Sequence, residues 1–172
     1  AHSGKPFLLS EFGYATETLD PARASLDETA IFLGLLNQHA AGGAKWMLND
    51  MPPGFNQRER TLGAFRLDSS PKPVAGALAA LRAYLDATGS PPGDLKLDDD
   101  AATGVRYVYR ASDALLLGGK QVDAGAASFT SDGPAQLFLT WTDPRRVHVW
   151  ASTALTVQLD LGQLAGGSPG AT

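Results

Sequence analysis

The 172 residues contain no cysteine. That absence removes disulfide staples, thiolate nucleophiles and cysteine–metal sites together, and it leaves the redox compartment open. A basic excess is also missing: 14 lysines and arginines stand against 18 aspartates and glutamates, a formal net charge of −4. Nucleic acid is therefore not an expected partner. No apolar run reaches the ~18 residues that a membrane span needs, so no membrane is expected either. Ala1-His2-Ser3-Gly4 lacks the basic start and apolar core of a secretion signal. The only histidines, His2, His39 and His148, fall at no metal-ligand spacing. No glycine loop fits a phosphate, and no Ser/His/Asp set stands out.

What remains is an ordinary globular composition, 44% hydrophobic and 19% charged, enough for one domain or two small ones. The cluster Thr88-Gly89-Ser90-Pro91-Pro92-Gly93 reads as a linker or sharp turn. It separates residues 1–88 from residues 94–165, with 166–172 expected to fray.

The first part reads as strand, helix, strand, loop, helix. Ser25-Leu26-Asp27-Glu28 has the form of a capping box. Ile31, Phe32, Leu35, Leu36 and His39 follow at helical spacing, and Gly42-Gly43 would stop that helix. A second helix is expected after Pro71-Lys72-Pro73, with Val74, Leu78, Leu81 and Leu85 as its apolar face. Short connections between such elements argue for parallel strands with right-handed crossovers.

The second part alternates with a period of two. Val105, Tyr107 and Tyr109 alternate with Arg106 and Arg110; Leu137, Leu139 and Trp141 alternate with Gln136, Phe138 and Thr140. Val147 and Val149 alternate with His148 and Trp150, and Leu155, Val157, Leu159 and Leu161 give the most regular case. Each pattern predicts a strand with one buried face. Turns are expected at Gly118-Gly119, Asp132-Gly133-Pro134 and Thr142-Asp143-Pro144-Arg145. The acidic run Asp98-Asp99-Asp100 reads as a solvated loop. Tyr107, Tyr109, Trp141 and Trp150 read as packing residues, with a sugar-stacking platform as the alternative.

The chemistry concentrates at two strand ends. Lys5-Pro6-Phe7-Leu8-Leu9-Ser10 delivers Glu11 into Phe12-Gly13, and Gly43-Ala44-Lys45-Trp46-Met47-Leu48 runs into Asn49-Asp50. Parallel strands carry their functional groups at such ends. The other glutamates are Glu17, Glu28 and Glu59. Glu59 reads as a solvated charge, and Glu17 lies six residues past Glu11 in a polar loop.

Residues 5–85 resemble the last two βα units of a retaining glycoside hydrolase with a (β/α)8 barrel, from the large clan that includes cellulases, mannanases and β-galactosidases. The residues that carry the resemblance are Glu11-Phe12-Gly13 after its Lys-Pro-apolar approach, Trp46, and the stretch Leu62 to Pro73 with Gly63, Phe65, Asp68 and Pro71-Lys72-Pro73. The resemblance implies Glu11 as the catalytic nucleophile and Trp46 as the platform under the sugar. Asn49 and Asp50 join Trp46 as candidate substrate contacts, with loop capping as their competing role. No metal or organic cofactor is implied. In this clan the acid/base glutamate follows an asparagine on another strand, and no Asn-Glu pair occurs here.

The expectation is thus a C-terminal fragment of a glycosidase: two βα units of an incomplete TIM barrel, then a small antiparallel β-sandwich. Its partners would be an oligo- or polysaccharide and the remaining barrel strands, from the same parent protein or another chain. The resemblance implies extracellular or periplasmic work for the parent. Alone, the chain is expected to be inactive. The alternative is a non-catalytic carbohydrate-binding or structural β-domain with a remnant helical support.

Overall fold

In the computed structural model, residues 5–88, 94–100, 104–111, 113–143 and 146–165 are described. The chain divides into two compact units, Ala1–Pro92 and Gly93–Thr172. Most of the expected linker and all of the expected frayed tail lie outside the described residues.

The first unit holds β1 (Leu8–Phe12), α1 (Pro21–Asn37), β2 (Gly42–Lys45), a 3-10 turn (Glu59–Thr61) and α2 (Pro73–Thr88). β1 and β2 pair in parallel, Leu8 opposite Gly42 and Phe12 opposite Lys45. The strands are parallel because α1 crosses between them, and that helix packs on both β2 and α2. Helix α1 begins four residues before the expected capping box. Asp20 caps it, its Oδ1 accepting from the Ala22 amide at 2.9 Å and the Arg23 amide at 3.2 Å, and Pro21 takes the first turn where its missing N–H does no harm. Ser25 and Glu28 lie inside the helix, and with Leu26 and Leu33 they face inward. Ile31, Phe32, Leu35 and Leu36 are only half-buried. The helix ends at Asn37 with Gln38 as its cap. His39, expected on the helix face, instead takes the left-handed conformation just beyond, φ 52°, which histidine tolerates better than most residues. Gly42-Gly43 therefore starts a strand and does not stop a helix.

α2 starts directly after Pro71-Lys72, since proline is tolerated in a first turn. Its inward stripe is Val74, Ala77, Leu81 and Tyr84. Leu78 and Leu85 are half-buried on its flank.

The second unit is a six-stranded antiparallel sheet. Its strands are β3 (Asp94–Asp100), β4 (Gly104–Arg110), β5 (Ala114–Asp123), β6 (Ala127–Asp143), β7 (Arg146–Ala151) and β8 (Val157–Leu159), followed by α3 (Leu161–Ala165). Sequential strands are neighbours from β3 to β7, and β8 pairs with the start of β6. Leu115, Leu117, Val122, Phe129, Leu137 and Leu139 centre its core, closed by Leu164. Tyr107 and Tyr109 are fully buried. Gln136 and Phe138, expected to face outward, are buried as well.

Several expected turns are strand. Gly118-Gly119 lies within β5 and Asp132-Gly133-Pro134 within β6. There the ladder slips: Gly119 pairs Ala135 but Gln121 pairs Thr130, so residues 131–134 face Lys120 alone. The Ser131 hydroxyl holds that bulge through the carbonyls of Gly133 at 2.6 Å and Lys120 at 3.3 Å. The actual β5–β6 turn is Asp123-Ala124-Gly125-Ala126, with Gly125 at φ 73° and its amide donating to Asp123 Oδ1 at 2.8 Å. Asp98-Asp99-Asp100 ends β3, opposite Arg106, Val105 and Gly104. Pro144 and Arg145, the tip of the predicted hairpin, lie outside the described residues. The alternating run from Leu155 stops at Leu159, because Asp160 Oδ1 accepts from the amides of Gly162 and Gln163 at 3.0 and 3.1 Å and starts a short helix.

These findings correct the expected fold. The chain forms neither part of an eight-stranded TIM barrel nor a β-sandwich. β1 and β2 pair only with each other among the described residues, leaving both outer edges open, and two parallel strands cannot curve into closure. A sandwich needs two facing sheets, whereas β3 to β8 form one.

Candidate functional site

The candidate site stands at the carboxyl ends of β1 and β2, the end of a parallel sheet where ligands characteristically bind. Alternation along the strands sorts the side chains into two faces. The helix-side face carries Phe12, whose ring meets the Phe32 ring edge-on at 4.8 Å, and Lys45, which reaches Glu28 of α1. Glu11 and Trp46 are the chain neighbours of Phe12 and Lys45, so they share the opposite, open face. The Trp46 amide donates to the Phe12 carbonyl at 2.7 Å. This bond fixes the two strand ends side by side.

β1 carries one residue more than β2 at this point. Ser10 and Glu11 lie between Leu9 and Phe12, but only Ala44 lies between Gly43 and Lys45. The bulge keeps Leu9 and Phe12 both on the helix side and turns Glu11 outward; bulges re-aim side chains in this way. Glu11 is exposed and makes no hydrogen bond or ion pair with the described residues. Trp46 is 46% exposed. Gly13 permits this approach: a Cβ there would lie 2.2 Å from the Trp46 carbonyl oxygen.

Two buried lysines hold the floor beneath. Lys45 Nζ donates to Glu28 Oε1 at 2.9 Å and to the Leu62 carbonyl at 2.8 Å. The Tyr14 amide adds a third tie, donating to the same Glu28 oxygen at 2.9 Å. Burial pushes the Glu28 carboxyl above its usual range, and the bonds from Lys45 and Tyr14 offset this only in part. Its second oxygen, Oε2, has no hydrogen-bond partner among the described residues. Lys72 Nζ donates to Asp50 Oδ1 at 2.6 Å, the Thr61 carbonyl at 2.9 Å and the Thr16 hydroxyl at 3.1 Å. Together these bonds join both strand-end loops, α1 and the segment around Thr61 into one support.

Asn49 and Asp50 serve that support. Asp50 Oδ1 also accepts from the Gly63 amide at 2.8 Å, and its own amide donates to the Phe65 carbonyl at 2.9 Å. Asn49 Nδ2 donates to the Arg66 carbonyl at 3.4 Å. A Cβ on Gly63 would come within 2.2 Å of the Asp50 nitrogen, so only glycine fits this crossing. The structure therefore sets Glu11 and Trp46 at adjacent strand ends and engages Asp50 in the network around Lys72.

The other three glutamates also belong to this unit. Glu28 is buried on the helix side in its ion pair. Glu59 opens the 3-10 turn. Glu17 is exposed, with its amide tied to Thr61 Oγ1 at 3.2 Å. Sequence reasoning missed both lysines and gave Glu28 to a helix cap. The available signal was a lysine at an element boundary, Lys45 at the end of β2 and Lys72 directly before α2.

Of the aromatic residues in the second unit's alternative, two are buried and two half-buried. Tyr107 and Tyr109 are 0% exposed, Trp141 packs against the core, and Trp150 pairs with Phe138 across β6 and β7. No protein-family model matches this chain, and no curated protein matches its sequence.

Proposed function

We propose that the first unit carries half of a retaining glycosidase site, with Glu11 as the nucleophile and Trp46 as the platform beneath the sugar. The observation that carries the reading is the shared face: an unpaired, outward-turned carboxylate beside a half-exposed indole at the carboxyl ends of two parallel strands. A carboxylate free of cations keeps its lone pairs for an anomeric carbon. The indole offers a flat apolar surface to the C–H face of a sugar ring. Retention needs a second carboxyl roughly 5–5.5 Å away to protonate the leaving oxygen. In this proposal that acid comes from a further chain segment, or a partner, that packs on the open face. By itself the chain binds saccharide weakly and does not turn it over.

A substrate that needs no acid tests the nucleophile. With a glycosyl fluoride bearing fluorine at C2, fluoride departs from the anomeric carbon unaided while a Glu11 oxygen forms the new ester bond. The expected result is a one-glycosyl mass increase located on Glu11, absent in Glu11→Gln and strongly reduced in Trp46→Ala. An unmodified chain after prolonged incubation with glucosyl, mannosyl and galactosyl donors would falsify the proposal.

A further inference from the structure

The second unit has a concavity of its own. An open groove of about 350 Å³ lies over β5, β6 and β8 and is lined by Gln121, Asp123, Ser128, Thr130, Thr156 and Gln158, with Val122 and Phe129 beneath. Register arranges these side chains in two rows. Asp123 is opposite Ser128, which is opposite Gln158; Gln121 is opposite Thr130, with Thr156 one step before β8. Ladder geometry spaces such groups about 4.8 Å across strands and about 6.8 Å along them. The side chains of Gln121, Ser128, Thr130, Thr156 and Gln158 make no hydrogen bond with the described residues. Asp123, also in the lining, accepts from the Gly125 amide through Oδ1 at 2.8 Å.

We propose that this groove binds a neutral, hydroxyl-rich ligand, namely an uncharged oligosaccharide. Hydroxyls and amides both donate and accept, as sugar hydroxyls do, so the rows match such a ligand without a fixed polarity. Among the described residues no lysine or arginine lines the groove, and the one charge in its lining is a carboxylate; phosphates and acidic sugars therefore meet repulsion there. The lining also lacks an exposed aromatic ring, which removes the stacking that a nucleobase would require. Binding rests on hydrogen bonds alone and is weak. Every residue of its lining belongs to the second unit.

The test is amide-shift mapping of the full chain with two neutral hexasaccharides, β-1,4-linked and α-1,4-linked glucose, and with an oligogalacturonate as the acidic contrast. Expected are saturating shifts confined to residues 121–130 and 156–158 with at least one neutral hexamer and none with the acidic one. The double variant Thr130→Val, Gln158→Ala should weaken that binding roughly tenfold, as the loss of two hydrogen bonds predicts. Trp46→Ala should leave it unchanged, which separates this site from the strand-end one. Absence of shifts there with both neutral sugars overturns the proposal. So does equal binding of the acidic sugar, or affinity unchanged in the double variant.

Discussion

The Lys45 ammonium lies 2.9 Å from the Glu28 carboxylate, with side chains 8% and 1% exposed, directly beneath the strand ends that carry Glu11 and Trp46. The pair joins β2 to α1, yet it leaves Glu28 Oε2 unsatisfied. Burial outweighs pairing for this carboxyl, and its direction of shift is upward from 4.5.

The sign of the pH dependence follows from that shift. A carboxyl with a raised folded pKa holds its proton more tightly when folded. Its stabilising contribution is full below about 4.5, the unfolded value, and is lost as pH rises through the folded value. Glu28→Gln removes this titration while keeping an acceptor for Lys45 and Tyr14. The stability of the native chain minus that of Glu28→Gln should therefore shrink as pH climbs from 4 upward, measured by urea unfolding at several pH values. A flat difference would contradict the buried position of this carboxyl.

Lys72 and Asp50 meet at 2.6 Å with almost no exposure, 4% and 11%. Removing one partner strands the other's charge, so Lys72→Met or Asp50→Ala should each destabilise by about 3–5 kcal/mol. The double variant should lose much less than the sum, because no buried charge then remains. A double-mutant cycle in urea checks this; strict additivity would mean that the two groups do not interact.

Two glycines should respond in opposite directions. Gly13→Ala forces a methyl to 2.2 Å from the Trp46 carbonyl oxygen, so the strand ends must part. Thermal unfolding should show a loss of about 1–3 kcal/mol, and saccharide labelling at Glu11 should fall with it. Gly34 lies inside α1 with nothing within 4 Å of a new Cβ. Gly34→Ala should stabilise the chain by about 0.5–1 kcal/mol.

Leu8, at the start of β1, and Leu48, just past the end of β2, are 65% and 70% exposed. Apolar groups next to unpaired strand edges invite edge-to-edge association. Replacing both by threonine should shift sedimentation toward monomer at high concentration and leave the unfolding midpoint within about 0.5 kcal/mol of the native value. An unchanged distribution would show that this face does not drive self-association.

Local signals were legible where a local rule governs. Pro71-Lys72-Pro73 starts α2 because proline fixes the first turn. The alternation through Tyr107 and Tyr109 marks a strand because the pleat has a period of two, and both rings are buried. Rules failed where a distant residue competed. Ser25-Leu26-Asp27-Glu28 has a capping form, but Asp20-Pro21 caps earlier and Lys45, 17 residues away, takes Glu28. Leu161 continues an alternating run, but Asp160 caps a helix and ends it. Gly118-Gly119 has turn composition, but its neighbours in β4 and β6 keep it in the ladder.

By itself the sequence determined the absence of thiol chemistry, the supply of only four glutamates, and the helix and strand character of segments whose periodicity is carried by adjacent residues. Only the tertiary structure decided that β1 and β2 pair solely with each other among the described residues, that β3 to β8 form a single sheet, that β1 carries a bulge at Ser10 and Glu11, and that two buried lysines tie the strand ends to their support. The physical reason is range. Periodicity and capping act over a few residues, whereas register, edge pairing and ion pairing depend on which distant segments meet, and the local pattern leaves that choice open.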